Sequence, residues 1–221
     1  MSIRKAFFLV ETISMANRSS CPLLGVVLAG GRSSRMGRCK ALLTHTDGTT
    51  FLHQAIEQVR PLSEVVACAI AQDQQDVAQI IPADVTTLRD QCDQRGPAEG
   101  LLRALEFAAS HACVGAFVIP VDVPALGTSE LQLVQQSFEC FPNDVSCAVS
   151  DNSPDRLEPL IAIYPTGLLP SIAALAKSDN RSLYRFIKKH SHHRVPLPPH
   201  TLKNVNHPDD WNEPSPHDSK S

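Results

Sequence analysis

The segment Leu28-Ala29-Gly30-Gly31-Arg32-Ser33-Ser34-Arg35-Met36-Gly37-Arg38-Cys39-Lys40 carries the densest chemistry of the chain. Adjacent glycines let a backbone approach phosphate oxygens closely and turn its N–H groups inward. Arg35 offers a planar fork to phosphate, and Lys40 a point charge. The same residues also suit an ordinary glycine turn with solvated basic side chains. The spacing is neither G-x-G-x-x-G nor Walker A, which excludes the dinucleotide fingerprint and the P-loop. Ser33 lies on no nucleophile elbow, and no Ser-His-Asp or Cys-His signature is visible.

Further along, Asp122 is gripped in Pro120-Val121-Asp122-Val123-Pro124. A carboxylate just past an apolar run can hold Mg²⁺, which takes one or two carboxylates together with substrate phosphates and water. It can equally satisfy backbone N–H groups in a turn. Asp90 is followed by Gly96-Pro97-Ala98-Glu99-Gly100. Glycines at a helix start present amides to an anion, although Pro97 in a first turn is explained by the helix alone. In Asn204-Val205-Asn206-His207-Pro208, strand alternation puts Asn204 and Asn206 on one side. Asn206 could also cap a following helix. His190, His192, His193 and His200 lie among Lys188, Lys189 and Arg194. They read as a solvated basic patch rather than a metal site, which needs converging ligands with outer support.

These residues need elements to hold them. The run Leu23 to Leu28 reads as a buried parallel strand feeding the glycine segment. Phe51, Leu52, Ala55, Ile56 and Val59 share a helical face. Val65 to Ile70 is a second strand, and a short third lies near Val85 to Leu88. Leu101, Leu102, Leu105 and Ala108 form another helical face. Ala116 to Ile119 is a fourth strand leading to Asp122. Thr128 is placed to cap a helix burying Leu131, Val134 and Phe138. Asp151 to Asp155 reads as a polar loop and Pro159 to Tyr164 as a strand. Leu169 to Lys177 and Ser182 to Lys189 read as helices, and Val195 to His200 as a proline-rich extended segment. Such alternation implies a mostly parallel sheet with helices on both faces. Ligands in such sheets sit at the strand carboxyl ends, where the glycine segment and Asp122 both fall.

With 221 residues, the chain is long enough for one domain with a proper core. A net charge of −3 argues against a nucleic-acid partner. The seven cysteines are scattered without a C-x-x-C, which points to a reducing compartment, the cytoplasm, and away from structural zinc. No stretch approaches the length of a membrane helix. Residues 1–20 read as an N-terminal extension too short in apolar core for a signal peptide. Residues 21–211 read as the domain, and 212–221 as a disordered tail.

The segment from Leu28 to Lys40 resembles the signature of the molybdenum cofactor guanylyltransferase (MobA) family, Leu-Ala-Gly-Gly-x-Ser-x-Arg-Met-Gly-x-Asp-Lys. Every fixed position matches except Cys39, where the family usually has Asp. Asp90 with Gly96 to Gly100 resembles the family's Asp…Gly-Pro-Leu-Ala-Gly, with Glu99 in place of a small residue. Pro120 to Pro124 resembles Pro-Cys-Asp-x-Pro, and Asn204 to Asp210 resembles Asn-(Ile/Val)-Asn-Thr-Pro-Glu-Asp. Arg156 to Tyr164 resembles the stretch before the family's last helices, where Arg156 and Glu158 could touch the acceptor or equally form a surface salt bridge.

The resemblance implies a three-layer α/β/α sandwich around a mostly parallel, Rossmann-like sheet of the nucleotide-diphospho-sugar transferase type. It implies an Mg²⁺-dependent transfer of GMP from GTP to a phosphorylated pterin, the molybdenum cofactor, with release of pyrophosphate. Molybdoenzymes or their chaperones are the implied protein partners. Arg35, Lys40 and Asp122 are the implied catalytic residues, with Asp122 and Asn206 on the metal. Leu28, Ala29, Gly30, Gly31, Ser33, Arg35, Lys40, Asp90, Gly96, Pro97 and Gly100 are implied to border the nucleotide. Two rival readings are a cytidylyl or sugar-phosphate nucleotidyltransferase and a catalytically silent nucleotide-binding module. Cys39 and Glu99 are the features that favour the silent module.

Overall fold

The computed structural model describes residues 21–30, 39–91 and 96–205. The proposed extension and tail, together with Gly31, Ser33, Arg35 and Asn206, lie outside them. The strands are β1 (Leu23–Leu28), β2 (Val65–Ile70), β3 (Thr86–Arg89), β4 (Gly115–Pro120), β5 (Val145–Ser150), β6 (Ser153–Pro165) and β7 (His192–Leu197). The helices are α1 (Phe51–Val59), α2 (Gln75–Ile80), α3 (Pro97–Ser110), α4 (Thr128–Cys140), α5 (Leu169–Lys177) and α6 (Leu183–Lys188). All seven strands form one sheet in the order β3-β2-β1-β4-β6-β5-β7. β6 runs antiparallel to β4 and β5, and the remaining pairings are parallel.

β1 shows why the sheet sits in the middle. Leu23 and Val27 join one apolar cluster, and Leu24, Val26 and Leu28 the other. An apolar side chain at nearly every position lets both faces be covered. Helices α1, α2 and α4 cover the first face through Ala55, Ile56, Val77, Leu131 and Phe138. Helices α3, α5 and α6 cover the second through Leu101, Leu105, Ile172 and Phe186. The result is the expected α/β/α sandwich. Among the described residues, no helix is long and apolar enough to cross a membrane.

Four readings of the sequence need correction. Thr128 is the first residue of α4 rather than its cap; Gly127 takes that place, and its N–H donates to Glu130 Oε2 at 3.1 Å. The Thr128 hydroxyl instead donates to the Gln58 carbonyl at 3.1 Å. The polar residues Ser153 to Asp155 are already in β6, whose exposed first turn of chain carries no apolar alternation to mark it. The proline-rich segment splits into β7, paired in parallel with β5, and a 3-10 turn at Pro199–Leu202. Asn204 and Val205 are in no strand, so alternation does not set which way Asn204 faces.

Candidate active site

The carboxyl ends of β1, β2, β3 and β4 lie side by side, since these strands are adjacent and parallel. At the end of β1, the N–H groups of Ala29 and Gly30 both donate to the Ala69 carbonyl, at 2.9 and 3.1 Å. That contact refines the sequence reading of Gly30. Its amide is spent on the neighbouring strand and is not turned toward a phosphate.

The chain returns at Cys39 and enters a 3-10 turn at Lys40–Leu42. The Leu42 N–H donates to the Cys39 carbonyl at 3.1 Å. Ala41 is fully buried in the first cluster, and Cys39 packs against it. From this anchored turn Lys40 reaches across to the end of β4. Its Nζ lies 2.8 Å from Asp122 Oδ2, with both side chains largely shielded from water. The geometry brings together two residues 82 positions apart that sequence reading had matched only by motif.

Asp122 is held on its other side through its backbone. Its carbonyl accepts the Val205 N–H at 2.8 Å. The loop beyond β4 is fastened by Gln54 Nε2, which donates to the Pro124 carbonyl at 3.1 Å. The segment bearing Asn204 therefore runs beside Asp122, and Asn206 follows immediately outside the described residues.

On the opposite side stand Asp90 and the start of α3. The Asp90 N–H donates to the Ile70 carbonyl at 3.1 Å, which fixes its backbone at the end of β3. Gly96 flanks α3 at φ 65° and ψ −164°, a conformation open essentially to glycine alone. Gly100 makes a close approach: a β-carbon there would meet Leu28 Cδ2 at 3.2 Å and Ala69 Cβ at 3.6 Å. Its bare backbone lets the first turn of α3 lie directly over the ends of β1 and β2. Asp90 Oδ1 is 3.9 Å from the same point, so Leu28, Asp90 and Gly100 converge.

The two departures from the MobA pattern have different surroundings. Burial pushes the Cys39 thiol up, so at neutral pH it is an uncharged thiol where an aspartate would carry charge. Glu99 is buried, and its carboxylate lies 3.2 Å from Arg103 one turn along the same helix. Arg103 in turn pairs with Glu106 at 2.7 Å.

One contributor escaped the sequence reading. The Gln74 side chain accepts the Ala71 N–H and donates to both the Ala29 carbonyl and Cys39 Sγ. A signal for it existed: residues just past β2 occupy the same ligand-gathering edge as those past β1 and β4. The helix that follows is too short for its periodicity to stand out.

The histidines have separate local partners. His190 and His192 contact the carbonyls of Phe186 and His190, and His193 Nε2 lies 2.9 Å from Asp144 Oδ2. Among the described residues no group of three or more His, Cys, Asp or Glu side chains could hold a metal ion. Arg156 and Glu158 lie 3.4 Å apart on β6.

Comparison with known proteins gives this arrangement relatives. Residues 25–195 match the family model described as "MobA-like NTP transferase domain". A Rhodopirellula baltica protein named "Probable molybdenum cofactor guanylyltransferase" is 37% identical over 205 residues, spanning 92% of this chain and 97% of the relative. A Mycobacterium marinum protein of the same name is 35% identical over 173 residues, 76% of this chain and 82% of the relative. The crystal structure of molybdopterin-guanine dinucleotide biosynthesis protein A from Archaeoglobus fulgidus superposes with a TM-score of 0.66 at 17% identity. It covers 85% of this chain and 94% of that one, which establishes a shared fold.

Proposed function

The chain belongs to the MobA-like NTP transferase family, and we propose from that premise that it transfers GMP from GTP to the phosphate of molybdopterin or the molybdenum cofactor. The chain is a nucleotidyltransferase. The observation that carries the reading is the ion pair of Lys40 with Asp122 at 2.8 Å, set where the ends of β1 and β4 meet. An ammonium and a carboxylate held together at that edge, beside a glycine-rich segment, suit a polyphosphate and the cation that accompanies it.

In the proposed reaction an oxygen of the acceptor phosphate attacks the α-phosphorus of GTP. A new P–O bond forms, and the bond from the α-phosphorus to the bridging oxygen breaks. Its electron pair leaves with pyrophosphate. Catalysis of this kind is mostly positioning and charge neutralisation. Lys40, with Arg35, neutralises charge developing on the transferred and leaving groups. Leu28, Ala29, Gly30, Gly31 and Ser33 line the nucleotide together with Asp90, Gly96, Pro97 and Gly100. The Cys39 thiol leaves Lys40, its neighbour in the chain, without the extra negative charge an aspartate would place there.

Mg²⁺ is the proposed cofactor, held by Asp122 and Asn206. The donor set fits, because magnesium needs only one or two protein ligands when phosphates and water complete its shell. Asp122 already faces a cation in the form of the Lys40 ammonium. Bound there, the ion would supply charge neutralisation to the triphosphate. The free thiols found among the described residues agree with a reducing, cytoplasmic setting. The product would pass to molybdoenzymes or their chaperones.

The deciding experiment is pyrophosphate release with Mg²⁺, molybdopterin or molybdenum cofactor as acceptor, and each of the four NTPs in turn. Turnover with GTP alone supports the proposal. Turnover with CTP instead would assign a cytidylyl activity and overturn it. Tight GTP binding with no product would favour a silent nucleotide-binding module.

A further inference from the structure

Gln74 joins three parts of the site through one side chain. Its Oε1 accepts the Ala71 N–H at 2.8 Å, which fixes the plane of the amide. Its Nε2 then donates to the Ala29 carbonyl at 3.2 Å and to Cys39 Sγ at 3.3 Å. A primary amide nitrogen has two protons, and both are used. Ala29 is where the chain leaves β1, and Cys39 is the residue that precedes Lys40. One side chain thus ties the exit from β1, the end of β2 and the approach to the lysine turn into a single unit.

That tie bears on Lys40. The lysine sits on a flexible four-carbon stem and reaches a carboxylate just past the end of β4, while Gln74 follows β2. Its aim depends on where its backbone starts. The 3-10 turn at Lys40–Leu42 has no side-chain cap of its own. Cys39, the residue flanking the turn, is held by Gln74. Gln74 is itself anchored, since α2 starts at the next residue and buries Val77 in the core.

We propose that Gln74 is a positioning residue: by holding Cys39 against the end of β1 it sets the Lys40 backbone and so the Lys40–Asp122 pair. The inference rests on the reading of Lys40 and Asp122 as the reaction's charge pair. Gln74 touches none of the reacting atoms, and its effect passes through Cys39 to Lys40.

Two variants and two readouts test it. Gln74→Met keeps the length of the side chain and removes all three bonds. Gln74→Glu keeps an acceptor for Ala71 but sets a carboxylate oxygen against the Ala29 carbonyl, and it serves if the methionine variant fails to fold. Both should lower kcat about tenfold, the scale of one to two net hydrogen bonds, with KM for GTP within about threefold. In a Lys40→Met background the same changes should cost nothing further, because the residue being positioned is gone. The second readout needs no turnover: the rate at which an amine reagent labels Lys40 in nucleotide-free protein, followed by mass spectrometry, should rise several-fold. A folded Gln74 variant with an unchanged labelling rate overturns the proposal, as does a fully additive loss in the Lys40→Met background. A wild-type protein that transfers no GMP overturns the guanylyltransferase reading instead, and the labelling result then decides the role of Gln74 by itself.

Discussion

Lys40 and Asp122 are the pair on which the proposed chemistry turns, and each can be removed with a distinct consequence. Asp122→Ala is expected to abolish pyrophosphate release and leave the folded state intact by circular dichroism. A folded variant with a normal rate would take Asp122 out of the reaction. Lys40→Ala should lose about 10²-fold or more in kcat, the general scale for deleting a transition-state charge partner. A loss below about threefold would mean that Lys40 makes no contact specific to the transition state. Glu158 offers a test of another kind. Burial pushes its carboxyl above the ordinary range, and the nearby Arg156 pulls it part of the way back. The folded state therefore binds this proton more tightly than the unfolded chain does. Stability linked to Glu158 is present at low pH and is lost as pH rises through the folded pKa. Glu158→Gln should accordingly raise Tm at pH 7, with the difference shrinking toward zero below about pH 4. A lower Tm for the variant at pH 7 would mean that the contact with Arg156 outweighs the cost of burial. Of these residues, Lys40 and Asp122 were legible in the sequence because motif and strand end coincide. Gln74 was not, because a polar residue in a polar run announces nothing until its three partners are brought around it.

At the scale of elements, the long periodic segments declared themselves and the short or polar ones did not. β1, β2 and α5 have the bounds their apolar patterns predict, and α1 buries the five residues that share its face. β5 and α2 passed unnamed. β5 mixes serine and cysteine among its apolar residues, and α2 is a six-residue helix whose buried contribution is Val77. The exposed start of β6 was hidden for the same reason. Position along a strand fails wherever burial does not force alternation. Helix α3 supplies the prediction at this scale. Its entry through Gly96 needs positive φ, and a β-carbon there would meet nothing within 4 Å. Any loss in Gly96→Ala is thus conformational and not a clash, and should be about 1–3 kcal/mol. Thermal unfolding should show a Tm lower by several degrees, since a chain of this size shifts by about 2–4 °C per kcal/mol. If α3 also presents its first turn to the nucleotide, the variant should bind GTP more weakly in a calorimetric titration. An unchanged Tm would mean that the entry to α3 relaxes without strain.

For the whole molecule, the alternation of strand and helix predicted a mostly parallel sheet covered on both faces, and it is found. The sheet order was beyond reach of the alternation alone. Nothing in β6 itself states that it inserts antiparallel between β4 and β5. That insertion separates the sheet into two parts. The half built from β3, β2, β1 and β4 is purely parallel and gathers its strand ends, with Asp90, Ala29, Lys40 and Asp122, along one edge. The half built from β5, β6 and β7 holds Glu158 and His193 away from the parallel ladder. A ligand seated on the first edge therefore bridges several strands and the start of α3, and binding should be felt as stability of the whole fold. A ligand that binds only the folded state at a hundred times its Kd adds about 2.7 kcal/mol, which corresponds to a rise in Tm of about 5 to 10 °C for a chain of this size. GTP with Mg²⁺ should produce such a rise, and EDTA should remove most of it. In Asp122→Ala the shift given by GTP should lose most of its dependence on Mg²⁺, because Asn206 alone is left of the protein's share of the proposed metal site. A metal-dependent shift that persists undiminished in that variant would place the ion elsewhere on the triphosphate edge, and would leave Asp122 as the carboxylate that holds Lys40 in place.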